Sequence, residues 1–132
     1  MPKAVQDVIL ARLAKLTVAE RRLLEIASLM SEPFDYQVWQ RAVGWDDETT
    51  LVHSNHLLQR QLLVEVPDGY RFGHDLIKQV AHDQISESRL RQFHQQVAQG
   101  LLECSPGRSE ELARHFHHAA QAGQAFYYSL EA

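Results

Sequence analysis

The chain reads as a mostly α domain in which three helices lead into one β-hairpin, with further helices after it. Three observations predict that class. Apolar residues recur at helical spacing through the first sixty residues, interrupted only by capping and stop signals. Leu63-Val64-Glu65-Val66-Pro67-Asp68-Gly69-Tyr70-Arg71-Phe72 then reads as two short strands around a tight turn, with Pro67 fixing φ and Gly69 tolerating a positive one. From Leu76 through Ile77, Val80, Ala81 and Ile85 the apolar period returns to that of a helix. Three helices, a hairpin and a helix in that order make a winged helix.

Each element has its own signal. Val5, Val8, Ile9, Leu13 and Leu16 form one stripe of a lead-in helix over 1–16. Thr17-Val18-Ala19-Glu20 is a capping box that opens the next helix. That helix buries Leu23, Leu24, Ile26, Ala27 and Met30, and Pro33 stops it. Asp35 caps a short third helix carrying Val38, Trp39, Ala42 and Val43, with Gly44 as its stop. Asp46 or Asp47 opens a fourth, whose buried face is Leu51, Ser54, Leu58 and Leu62. The winged-helix unit is expected over 17–86. A long connecting helix over 87–104, capped by Ser88, follows with Leu90, Phe93, Val97 and Leu101 in register. Gly100 interrupts that helix at a cost of about 1 kcal/mol relative to Ala unless packing there needs a small residue.

Ser105-Pro106-Gly107-Arg108 is the clearest linker. Beyond it, 109–132 places Leu112, Ala113, Phe116, Ala119, Ala120, Gly123 and Tyr128 at the spacings of a tetratricopeptide-like helical hairpin. One such hairpin cannot bury its own face, so a neighbour, a partner or self-association is expected. Ala132 falls in mid-pattern and Met1 is followed at once by what reads as mid-protein sequence, so an excised or truncated piece is expected.

Composition narrows the function. At 132 residues, 45% hydrophobic and 23% charged, the chain suits one domain with a small appendage. A net charge of -4 argues against a surface built mainly to hold a phosphate backbone. No apolar run approaches membrane-spanning length and no signal-peptide core is present, so no membrane association is expected. The lone cysteine, Cys104, fits a reducing compartment, and the cytoplasm is the expected location. Cys104 ends a helix pattern rather than starting one, and no nucleophile–base–orienter set is visible, so no catalysis by this chain is expected.

Eight histidines stand out at this length. His115, His117 and His118 offer a one-turn spacing, but no fourth ligand or Cys-x-x-Cys accompanies them. A solvated helix face is the simpler reading, for these and equally for His53 and His56, and no metal is expected. As a recognition helix, Thr50 to Gln61 would expose Thr50, His53, Asn55, His56, Gln59 and Arg60, with Arg71 on the wing. These side chains can read bases, but Arg60 and Arg71 alone supply few phosphate anchors.

Tyr70-Arg71-Phe72-Gly73-His74-Asp75-Leu76-Ile77 is similar to the "R-F-x-H-x-L-I" signature of the winged-helix arm in STAND (NB-ARC-type) signalling ATPases, as in bacterial ATPase-coupled transcriptional regulators. It also resembles the Met-His-Asp motif of plant resistance proteins, with Gly73 where those have Met. Leu10 to Thr17 and Arg21 to Ala27 look like the segment leading into that arm. The resemblance implies a non-catalytic regulatory arm that couples nucleotide state to a sensor or effector. It puts His74 on the β-phosphate of ADP, with Asp75 bracing the helix start. It also implies partnership with a nucleotide-binding domain and a helical-repeat sensor, in this chain or another. No G-x-x-x-x-G-K-[ST] occurs here, so ADP or ATP is expected only together with such a domain. A stand-alone DNA-binding winged helix and a simple helical interaction module are the alternatives. Without the resemblance, His74 is a polar residue that closes the hairpin and caps a helix.

Overall fold

The computed structural model describes residues 3–104 together with His115. Over these residues the chain is mostly helical with one small antiparallel sheet: α1 (Lys3–Ala14), α2 (Val18–Ala27), α3 (Tyr36–Val43), α4 (Asp47–Gln59), β1 (Leu63–Val66), β2 (Gly69–Phe72), α5 (Asp75–Asp83) and α6 (Glu87–Cys104). No helix among the described residues is long and apolar enough to cross a membrane. The linker at 105–108 and the tetratricopeptide-like hairpin lie outside the described residues, except for His115.

The caps fix where helices begin. Thr17 accepts from the Glu20 N–H at 3.1 Å while Glu20 Oε1 accepts from the Thr17 N–H at 2.9 Å, a complete capping box. Asp35 and Asp46 accept from Gln37 N and Thr49 N to start α3 and α4. The connecting helix spans the expected 87–104, but its cap lies two residues earlier than the sequence suggested: Ser86, not Ser88, accepts from Arg89 N.

Helix ends depart further from expectation. α2 stops at Ala27, well before Pro33, because Ser28 and the turn after it close the last carbonyls. Met30 is buried all the same, from that turn. α4 stops at Gln59 without glycine or proline. Gln61 takes φ 60°, its N–H donates to Leu58 O, and the Leu62 N–H donates to Leu57 O, the paired bonds of a Schellman motif. Leu62 is therefore buried from the connection and not from the helix face.

That shift changes which side of α4 is inside. Thr50, Ser54 and Leu57 are buried, whereas Leu51 is exposed. The Thr50 hydroxyl turns inward and donates to Asp46 O at 2.7 Å, so it is no part of an exposed reading face. On α1 only Ile9 and Leu13 enter the core, joined by Leu16 just past the helix; Val5 and Val8 remain exposed. Two turns of this helix dock, and the first does not.

β1 and β2 pair in the register Leu63↔Phe72 and Val66↔Gly69 around Pro67-Asp68. Gly69 sits at φ 142°, and a Cβ there would meet Phe34 O at 2.2 Å, so the position excludes any side chain. The clash partner is informative. Phe34 forms an isolated bridge to Tyr70, with both backbone bonds made at 2.8 and 2.9 Å, and so adds an edge to the hairpin from the α2–α3 connection. Around that bridge Phe34, Trp39 and Tyr70 pack ring to ring at 5.1–5.9 Å, and the Trp39 indole donates to Leu23 O.

α6 lies along α3. Gly100 is buried at their crossing, where a Cβ would stand 2.8 Å from Val38 O and 3.2 Å from Ala42 N. The glycine that weakens an isolated helix is what lets the two backbones meet. Phe93, Val97, Ala98 and Leu101 complete that face and join the core to which all the other described elements contribute.

Candidate functional site

Two places gather the chemistry-bearing residues singled out by the sequence: the start of α5 and the outer side of α4. At the first, Phe72 ends the hairpin, and the Gly73 N–H donates to Leu62 O at 3.0 Å. A Cβ on Gly73 would stand 2.6 Å from Gln61 O, so the hairpin can close onto the end of α4 only with glycine here. The chain arrives at His74 in extended conformation, and His74 itself is the N-cap of α5. Its Nδ1 accepts from the Leu76 N–H at 3.0 Å. Asp75 is the first helical residue rather than the cap.

That bond sets the ring's tautomer. With Nδ1 accepting, the proton of a neutral imidazole sits on Nε2, and the exposed side chain presents Nε2–H as a donor at a helix N-terminus. Beside it Glu32, Asp75, Lys78, Gln79 and His82 line a groove of about 380 Å³. Lys78 pairs with Glu32 at 3.6 Å, and Glu32 also accepts from the Phe72 N–H, tying the groove to the hairpin.

On α4, the residues suggested for base reading are largely engaged. Glu20 reaches across from α2: Arg60 Nη1 lies 2.8 Å from its Oε1 and His56 Nδ1 lies 2.9 Å from its Oε2. His53 packs its ring edge-on against Trp45 at 5.4 Å. Asn55 and Gln59 are exposed, and so is Arg71, which donates to the neighbouring Phe72 carbonyl at 3.2 Å. Sequence reasoning saw Glu20 only as a capping-box residue; its second role depends on a contact between helices 36 positions apart in the chain.

The electrostatics of α2 are uneven. Glu20 and Glu25 are both 2% exposed. For Glu20, burial works to raise the pKa, but the Thr17 N–H, Arg60 and His56 outweigh it and bring the carboxyl from 4.5 down to about 2. Glu25 has no such set. Burial pushes its carboxyl up, Arg89 and Arg21 only partly oppose that, and its Oε1 makes no hydrogen bond. Cys104 is half-buried and its thiol is likewise pushed up by burial, against the pull of Arg41, the reverse of an activated nucleophile.

His115, read from sequence as part of a solvated face, is instead fully buried. Its Nδ1 lies 2.7 Å from Nδ1 of His94 on α6, so one ring donates and the other accepts. His117 and His118 lie outside the described residues.

No family model, no curated protein and no solved structure matches this chain.

Proposed function

We propose that the chain is the winged-helix arm of a STAND-type switch ATPase, a non-catalytic element that couples bound nucleotide to a sensor or effector region. The observation that carries this reading is His74. It stands directly after the hairpin, caps α5 through Nδ1 and keeps Nε2–H as an exposed donor beside helix-start N–H groups. A diphosphate from a neighbouring nucleotide-binding domain would meet there the donors that bind anions at helix N-termini. The winged-helix assignment draws support from α2, α3 and α4 preceding the hairpin, and from the isolated Phe34–Tyr70 bridge, which lays a third backbone segment against the hairpin edge. Large apolar side chains left exposed on α1, at the start of α2 and on α4 (Val5, Val8, Val18, Leu51 and Val52) suit an arm that docks onto other domains.

A shift in nucleotide would then move the arm because the phosphate binds one arrangement better than the other. DNA reading is the weaker alternative, since Arg60 and His56 are held by Glu20 and the net charge is -4.

The test separates capping from phosphate contact. His74→Asp keeps an N-cap acceptor but sets a negative charge against the phosphate; His74→Ala removes both. In a polypeptide that includes the nucleotide domain, both variants should retain ADP at least about tenfold less well, while only His74→Ala loses about 1 kcal/mol of stability. ADP retention unchanged in both would reduce His74 to a cap. The coding region upstream of Met1 bears on the wider claim: an in-frame P-loop supports it, and a stop codon there together with no ADP-binding partner chain sinks it.

A further inference from the structure

The contact between α2 and α4 places three metal-type donors together. His53 and His56 are one helical turn apart and so share a side of α4. Glu20 arrives from the first turn of α2, and one ligand atom from each of the three lies within 4.8 Å of the others. Tetrahedral zinc with bonds near 2.1 Å needs donors roughly 3.4 Å apart. The His56 Nδ1 to Glu20 Oε2 separation is 2.9 Å and the two separations to His53 are within 4.8 Å, so shifts of about 1.5 Å or less bring all three donors to that spacing.

The carboxylate is divided in a way that suits an ion. Oε1 is occupied by the Thr17 N–H and by Arg60, while Oε2 meets His56, with His53 in the same cluster. Those two outer partners fix the carboxylate's orientation, as hydrogen-bonded neighbours do for metal-binding groups generally. Trp45 packs on the His53 ring, whose Nδ1 is buried and makes no hydrogen bond. His56 is about half-exposed, with 47% of its side chain accessible, which gives an ion a way in and leaves a coordination position to water.

We propose that Glu20, His53 and His56 form a binding site for a divalent transition-metal ion of the zinc class, with solvent as the fourth ligand. Two imidazoles and a carboxylate are a donor set that zinc accepts, and three protein ligands with an open position is the form of a site that is not purely structural. The ion would cross-link the start of α2 to the C-terminal half of α4. This holds whatever the chain's role toward nucleotide.

Zinc chloride titrated calorimetrically into the chelator-washed full chain tests the site, alongside His53→Gln, His56→Gln and a His117→Gln/His118→Gln variant. Saturable binding and a raised thermal midpoint are expected for the parent and the tail variant. Each of the two α4 variants should bind more weakly by at least the roughly 10–100-fold that loss of an outer-sphere partner costs. Far-UV circular dichroism checks that both variants fold, which their partly exposed positions favour. Absence of saturable binding would overturn the proposal. So would zinc binding that survives both α4 substitutions or disappears in the tail variant.

Discussion

Glu20 and Glu25 share a helix and a degree of burial yet sit in opposite electrostatic settings, and the difference is a matter of partners. A carboxylate held by an N–H, a guanidinium and an imidazole stabilises the fold only while it is ionised. In chelator-treated protein Glu20 therefore contributes fully above its ordinary value of 4.5, and that contribution is lost as pH falls toward about 2. Glu25 has the reverse sign: its raised carboxyl favours the fold while protonated, and the gain disappears as pH rises. At neutral pH Glu20→Gln should destabilise by about 1.5–3 kcal/mol, the range for hydrogen bonds to charged groups. Glu25→Gln should leave stability unchanged or raise it by about 1 kcal/mol, because no buried charge remains to be solvated. Urea unfolding of both variants at neutral and acidic pH measures the contrast; equal losses at neutral pH would contradict it.

At the scale of elements, α3 and α6 meet through the absence of a side chain. Helix propensity alone predicts that Gly100→Ala stabilises by about 1 kcal/mol. The crossing predicts the opposite sign, because the new methyl would lie 2.8 Å from Val38 O and 3.2 Å from Ala42 N, both backbone atoms of a packed helix. Overpacking of that kind costs typically about 1–3 kcal/mol, so a net loss of stability is expected in chemical unfolding. A gain would mean that α6 slides on α3 more freely than their packing implies. The end of α4 makes the same point about backbone and context. Its Schellman turn uses Gln61 at φ 60°, a conformation most side chains resist, and the buried Leu62 and the close Gly73 behind it hold that turn in place.

Across the whole molecule, α1 belongs to the same core as the helices and hairpin that follow. Ile9, Leu13 and Leu16 are buried against that core, and Arg12 and Arg21 donate across the joins to Arg60 O and Leu13 O. A lead-in helix that merely flanked an independent domain would unfold separately. Leu13→Ala should instead lower the stability of the whole unit by about 2–4 kcal/mol and preserve a single cooperative transition. Hydrogen exchange reports this directly: if amides of α1 open well before those of α2 and α5, the helix is an appendage. His115, buried against His94, ties at least one residue beyond the 105–108 linker to α6.

Local chemistry written into short stretches was readable in advance. The capping box at Thr17, the Asp35 cap, Gly44 as a stop, the buried faces of α2, α3 and α5, and the hairpin turn all rest on residues within a few positions of one another. Such signals survive folding because the hydrogen bonds that satisfy them are local. The exposure of Val5 and Val8, the inward turn of Thr50 and the burial of His115 could not be read that way. Each depends on which neighbour covers a surface, and periodicity alone leaves that choice open. Glu20 is the clearest case. Its spacing to Thr17 marked a cap, while its partnership with His56 and Arg60 exists only because α2 and α4 pack side by side. A contact across 36 or 40 positions leaves no trace in spacing, and it is that contact which gathers the one cluster of metal-type donors found among the described residues.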